Sequence, residues 1–285
     1  MPSSHTQAGG DSPSRRSLPR PLLGCTSMVL WNRPVAEAVG LLAQAGFQAI
    51  EIWYEHLLRS GERTAAVAAA LAASGLACTL HCPIIDVNIC STNPVMAEAS
   101  LGLYLRALEA AAELGARVFV FHPGNLFSCF DPLEDYWQRL AECLQRALAA
   151  IRAPTQLAVE NMEADKANEV VKSAAGLART LASAGRGNAG VCWDCTHLIT
   201  TQANLEFLQA VPRIDHVHLS DARLEADGTA RKHLRLGRGG LDLRGLLAHP
   251  RAREATIVSL ETVLIDPAPA DLAAERALLE EALGG

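Results

Sequence analysis

The 285 residues are 49% apolar and 20% charged, an ordinary balance for a chain with a large buried core, built as one barrel or two average domains. A formal net charge of -6 argues against a general electrostatic grip on nucleic acid, and no apolar run approaches the ~20 residues of a membrane-spanning helix. Eight cysteines in so long a chain are not the disulfide framework of a small secreted domain, and a reducing, cytoplasmic setting is expected.

Residues 1–21 are rich in Ser, Pro, Gly and Arg, with almost nothing to bury. They read as a disordered leader without the apolar stretch of a secretory signal. Residues 22–285 read as a single domain in which strands and helices alternate. Strand one over 24–30 precedes a helix over 35–45, and strand two over 49–53 precedes a helix over 64–73. Strand three, 77–81, leads through a loop with Asp86 and Asn88 into a long helix, 94–114, stopped by Gly115. Strand four, 117–122, is followed by a helix over 132–151, and strand five, 157–161, by one over roughly 166–184. Strand six, 189–194, has a short helix at 203–210. Strand seven, 214–220, runs into a long polar loop and a helix near 241–248, and strand eight, 256–261, into a closing helix, 269–283. Eight such pairs match the closed parallel (β/α)8 TIM barrel of the α/β class. An open dinucleotide-binding sheet is disfavoured because no Gly-x-Gly-x-x-Gly follows strand one.

In that barrel the active site lies at the C-terminal strand ends. Here the apolar runs end in ionisable residues: TLHCP at His81, FVFHPG at His122, LAVENM at Glu160, GVCWDCTHL at Asp194 with His197 beyond, HVHLSD at His218, and IVSLET at Glu261. Adjacent strands lie ~4.8 Å apart, so Glu160, Asp194, His218 and Glu261, from strands five to eight, can converge on one ion. A lone strand-end carboxylate is more often a structural acceptor, but four successive strands carrying donors point to a metal. Three carboxylates and an imidazole suit Mn²⁺, Zn²⁺ or Co²⁺, with Mg²⁺ behind them.

His81 and His122 are either ligands of a second ion or groups that orient substrate oxygens. His197 and His233, in the loops after strands six and seven, are similar candidates. His216 shares a face with His218 but sits deeper, as a core or supporting residue. His56 and His249 carry no assignment. Cys192 and Cys195 are formally C-x-x-C but straddle a strand end, and read as core thiols. The basic run from Arg231 to Gly240 reads either as a solvated loop or, through Arg235 and Arg238, as a clamp for a substrate's phosphate or carboxylate.

Taken in order from about residue 22 to 261, FQAIEIW, LHCPIIDVNICS, VFHPG, VENM, VCWDCTH, HVHLSD, HLRLGRG and SLET resemble the xylose-isomerase-like barrel superfamily. That superfamily includes sugar isomerases and epimerases and the endonuclease IV-type DNA-repair enzymes. The resemblance implies Glu160, Asp194, His218 and Glu261 as the shared metal ligands. Endonuclease IV-type members hold three zinc ions, the first mapping to His81, His122 and Glu160. The third maps to His197 and an Asp-Arg-His triplet that here reads Arg231-Lys232-His233, a cation that should repel a third ion. The segment His81-Cys-Pro-Ile-Ile also lacks the tyrosine expected after the strand-three histidine.

With the acidic net charge, these departures favour a metal-dependent isomerase or epimerase of a small sugar or polyol-derived ketone. Its metal would bind the carbonyl and hydroxyl oxygens while Glu160 and Glu261 move a proton through an ene-diolate. His81, His122, His197, Arg235 and Arg238 would position hydroxyls or a phosphate, and Glu51, Trp53 and Trp193 would shape the pocket. The alternative is zinc-dependent phosphodiester hydrolysis at abasic DNA sites. A barrel that binds without turnover is a third reading, against which the full ligand arc speaks. The expected partner is a small sugar, with neither membrane nor nucleic acid, and the apolar helices could support a homo-oligomer.

Overall fold

The computed structural model describes residues 20–128, 130–185 and 189–284; of the expected leader only residues 20 and 21 fall within it. Eight parallel strands close a barrel: β1 (Leu22–Thr26), β2 (Ala49–Trp53), β3 (Ala77–His81), β4 (Val118–Phe121), β5 (Gln156–Glu160), β6 (Ala189–Asp194), β7 (His216–Leu219) and, after an antiparallel hairpin of β8 (Asp221–Leu224) and β9 (Ala230–Leu234), β10 (Ile257–Leu260). Each barrel strand pairs with the one before it, and β10 pairs back onto β1. The helices among the described residues are α1 (Val35–Gln44), α2 (Tyr54–Ser60), α3 (Thr64–Ser74), α4 (Pro94–Leu114), α5 (Leu133–Ala150), α6 (Ala174–Ser183), α7 (Thr201–Ala210), α8 (Leu243–Ala248) and α9 (Pro269–Ala282). None is long and apolar enough to cross a membrane.

The long α4 has the boundaries its sequence signals require. Asn93 caps its first turn by accepting from the backbone N–H of Val95 and Met96, and Gly115 ends it at φ 65°. Other elements differ from expectation for identifiable reasons. Strand one stops at Thr26, where its pairing with β2 ends, and the apolar run continues as a 3₁₀ turn over Ser27–Leu30. The helix expected from about residue 166 begins only at Ala174, after the Ser173 hydroxyl accepts from Gly176 N–H; the preceding stretch runs over the barrel mouth. A helix over Tyr54–Ser60 was not expected, and the polar loop after strand seven is the β8–β9 hairpin.

Side chains alternate between barrel interior and helix layer. Ile50, Ile52, Leu157, Val159, Val191 and Trp193 join the large core under the helices, whereas Val118, Val120, Ala158 and Cys192 form a small cluster inside the barrel. Trp193 therefore does not shape the pocket: its neighbour Asp194 points inward, so it must point outward, where its Nε1 donates to Asn204 Oδ1 at 2.8 Å. Trp193→Phe strands that buried acceptor, and urea unfolding is expected to show a loss of about 1–3 kcal/mol with metal binding unchanged. Weakened metal binding in that variant would return Trp193 to the site. The seven described cysteines are all free and buried, Cys192 and Cys195 among them, and Cys195 Sγ is spent on Ser220 O at 3.2 Å.

Candidate metal centre

Period-two alternation brings one ionisable side chain per strand to the mouth of the barrel: His81 from β3, Glu160 from β5, Asp194 from β6 and His218 from β7. His122 and Glu261 follow directly after β4 and β10. In-register pairing sets them at one level, with Asp194 opposite His218, and His218 opposite Ser259, two residues before Glu261. One donor atom each from Glu160, Asp194, His218 and Glu261 all lie within 4.8 Å of one another, a spread that one ion can span. The four sequence-assigned ligands are thus brought together and buried.

Glu160 occupies the middle. Its Oε1 lies 3.3 Å from His218 Nδ1 and 3.5 Å from His197 Nδ1. Its Oε2 faces the other way, 2.9 Å from His122 Nε2 and 3.6 Å from His81 Nε2. Glu261 Oε2 is 3.1 Å from His218 Nδ1 on the far side. The two carboxylate oxygens of one residue therefore address two separate groups of donors.

The remaining contacts aim these atoms inward. The Nδ1 of His81 is bonded to Cys82 O at 2.9 Å, leaving Nε2 toward Glu160. Asp194 Oδ1 accepts from Thr196 N–H, Thr196 Oγ1 and His197 N–H, at 2.6, 2.8 and 3.2 Å, which leaves Oδ2 free. Asn161 ties the ends of β5 and β6 together, its amide donating to Asp194 O while its Oδ1 accepts from Asp194 N–H. Sequence reasoning missed Asn161 and Thr196, although both adjoin the ligand motifs.

Asp194 Oδ2, Glu160 Oε2 and His122 Nε2 are buried without an aligned hydrogen-bond partner. Buried polar atoms are rarely left so. Oxygen and imidazole donors converging at this spacing fit divalent cations, and the orphaned atoms are those a cation would satisfy. The charges agree. Burial pushes the Glu160 and Asp194 carboxyls up, yet the His218 and His122 imidazoles beside Glu160, and His197 and His233 beside Asp194, outweigh it and hold both below their ordinary values. Glu160 and Asp194 thus stay ionised at the mouth of the barrel.

A pocket of about 340 Å³ opens over these groups. Trp53, Ile84, Tyr104, Met162 and Val263 form apolar walls; His81, His122, Glu160, His197, His233 and Glu261 form the floor and sides; Glu163, Lys166 and Glu169 also line it. Trp53 stacks on His81 at 4.8 Å between ring centroids, fixing the ring, as its expected place in the pocket requires.

Three other assignments need correction. Glu51 cannot touch substrate, because it lies fully buried one layer below, against His216 and His218. Arg235 is held 2.5 Å from Glu275 of α9, and Arg238 is exposed; neither lines the pocket. Their loop is fixed instead by Asp221, whose carboxylate accepts the backbone N–H groups of Ala222, Gly239 and Leu241. Nor does Arg231 supply the expected repulsion, since its side chain leans outward on Glu225 at 3.6 Å. The nearer cation is Lys232, 2.6 Å from Glu163 and 2.8 Å from Asp165.

The family model described as a xylose isomerase-like TIM barrel matches residues 39–282. A probable endonuclease 4 of Mycoplasmoides gallisepticum is 26% identical over 202 residues, covering 66% of this chain and 65% of that protein, so the chain spans just under two thirds of that relative's length. A probable endonuclease 4 of Mycobacterium ulcerans is 29% identical over 196 residues, 67% of this chain and 75% of that protein. Among solved structures, a D-tagatose 3-epimerase-like protein superposes with TM-score 0.76 at 19% identity, over 92% of this chain and 97% of that one. An L-ribulose 3-epimerase gives 0.75 at 19% identity, over 93% and 95%. At such identities the structural likeness concerns the fold alone.

Proposed function

The chain belongs to the xylose isomerase-like TIM barrel family, and we propose that within it the chain is a divalent-metal-dependent hydrolase of phosphate esters, built on two ions that share Glu160. The observation that carries this reading is the division of the Glu160 carboxylate, Oε1 toward His218 and Oε2 toward His122 and His81. His81, His122 and Glu160 would hold one ion, and Glu160, Asp194, His218 and Glu261 the other. A metal pair of this kind polarises a phosphoryl oxygen and supplies a nucleophile from water at neutral pH. His197 and His233, on the pocket wall, would orient the phosphate oxygens, and the apolar walls at Trp53, Ile84 and Met162 would exclude bulk water. The endonuclease names of relatives 26–29% identical support the same chemistry.

A second reading, the sugar isomerase or epimerase, is favoured by the pocket itself, which at about 340 Å³ suits a monosaccharide; its wall charges are mixed, with Glu163, paired to Lys166 and Lys232, beside Glu169. In that case Glu160 and Glu261, 3.3 and 3.1 Å from His218 Nδ1, would take and return a proton at the carbon beside a carbonyl.

His122 separates the two. Chain loaded with Zn²⁺, Mn²⁺ or Co²⁺ would be assayed on an abasic duplex, on bis(p-nitrophenyl) phosphate, and on ketoses by hydrogen exchange in D₂O. Phosphoester cleavage that falls about 10²–10³-fold in His122→Ala is expected. Ketose exchange with no cleavage, and little effect of His122→Ala, would replace the first reading by the second.

A further inference from the structure

Behind the ion-facing side of His218 lies a second polar layer, closed to solvent. A barrel of this type fills its interior with branched apolar side chains by default. Here Glu51, Thr79, His216 and Ser259 are fully buried inside it. Glu51 Oε2 lies 2.6 Å from His216 Nε2 and accepts from Thr79 Oγ1 at 3.0 Å. Its Oε1 lies 2.8 Å from His218 Nε2. A carboxylate taken out of water is costly unless partners hold it: Thr79 and His216 hold Oε2, while Oε1 and His218 Nε2 stand in contact without an aligned hydrogen bond.

The two nitrogens of His218 face opposite ways. Nδ1 points at Glu160 and Glu261, while Nε2 points at Glu51. An imidazole binds a cation through an unprotonated nitrogen, so Nδ1 must be bare and the ring proton must sit on Nε2. We propose that Glu51 is the positioning residue of the metal centre: clamped by His216 and Thr79, it stays ionised and accepts the Nε2–H of His218, which a small rotation of the ring brings into line, and so turns the Nδ1 lone pair toward the ion. It is a carboxylate rather than an amide because a negative charge behind the ring strengthens the ring as a donor. The inference rests on the metal-centre reading above and adds a residue behind His218 that does not line the pocket.

The test is metal affinity and ligand field, not turnover. Wild type, Glu51→Gln and His216→Gln would be loaded with Co²⁺, titrated against a chelator of known affinity, and compared by visible absorption and by thermal unfolding of the metal-free forms. Glu51→Gln is expected to bind Co²⁺ about 10- to 100-fold more weakly, with an altered absorption band. His216→Gln should shift both in the same direction by a smaller factor, and it carries the test alone should Glu51→Gln not fold. A variant with lowered thermal stability but wild-type affinity and spectrum would make the layer structural only and overturn the proposal. Wild type that binds no Co²⁺ would instead remove the metal-centre reading, and the inference with it.

Discussion

Glu160→Gln is expected to lower turnover by roughly 10³-fold or more, about 4 kcal/mol of transition-state stabilisation, while leaving the barrel folded. Glutamine preserves the shape of the side chain but offers one acceptor oxygen and an amide that repels a cation. In the structure both oxygens are committed, one to the His218 side and one to the His122 side, so no single rotamer of glutamine serves both. Loss of activity alone would not discriminate, because a sugar isomerase would also need this carboxylate. The two-ion centre adds a requirement: binding at both positions must weaken together, since the residue belongs to both. Isothermal titration with Zn²⁺ of the metal-free variant checks this, and a variant that keeps one site at wild-type affinity would show that Glu160 is not shared.

Removing the metal should be the largest single perturbation of stability. Three carboxylates, Glu160, Asp194 and Glu261, are packed at one barrel mouth with little exposure. An ion at a thousandfold excess over its dissociation constant contributes about 4 kcal/mol, or roughly 10 °C in Tm for a chain of this size. The size of the shift should depend on pH in a definite direction. Burial pushes Glu51 up, but His218 and His216 outweigh it and hold the carboxyl well below its ordinary 4.5. A depressed carboxylate contributes stability that is complete above 4.5 and lost as pH falls through its folded value. His218 is the reverse case: burial pulls it down, but the carboxylates of Glu261, Glu51 and Glu160 raise it well above 6.5. Its contribution is complete below 6.5 and lost as pH rises through the folded value.

The metal-free chain should therefore be most stable between about pH 4.5 and 6.5, the interval in which both contributions are complete. Metal binding displaces the His218 proton and strengthens as pH rises. The Tm difference between loaded and chelator-treated protein should widen from pH 5 to 8 in calorimetric scans. A difference that narrows over that range would contradict the assignment of His218 as a ligand.

Much of this centre was legible because a parallel barrel strand presents its mouth-facing side chain at a fixed place, the end of the apolar run. VENM, WDCTH, HLSD and SLET each show one such residue, and the structure brings the four together. Trp193 was misplaced although the same alternation predicts its direction: if Asp194 faces in, Trp193 faces out. The hairpin after strand seven also left a trace, since Asp227-Gly228 is a turn signal between two alternating segments. Glu51 is different. Its inward direction follows from periodicity, but its depth depends on the register between β2 and the strands across the barrel, which no local pattern encodes. Arg235 finds Glu275, 40 residues further on, and only the packing of α9 puts that acid within reach. The stretch before Ala174 reads as helix by composition; its course over the pocket is set by tertiary contacts such as Met162 N–H to Val171 O.

The measurement that bears most directly on the account is the metal content of the chain, by elemental analysis of protein purified without chelators, for wild type and His122→Ala. Two divalent ions per chain, falling to one when His122 is removed, is the expected result. One ion per chain that is indifferent to His122 would contradict the shared carboxylate and leave His81 and His122 as groups that orient a substrate around a single metal.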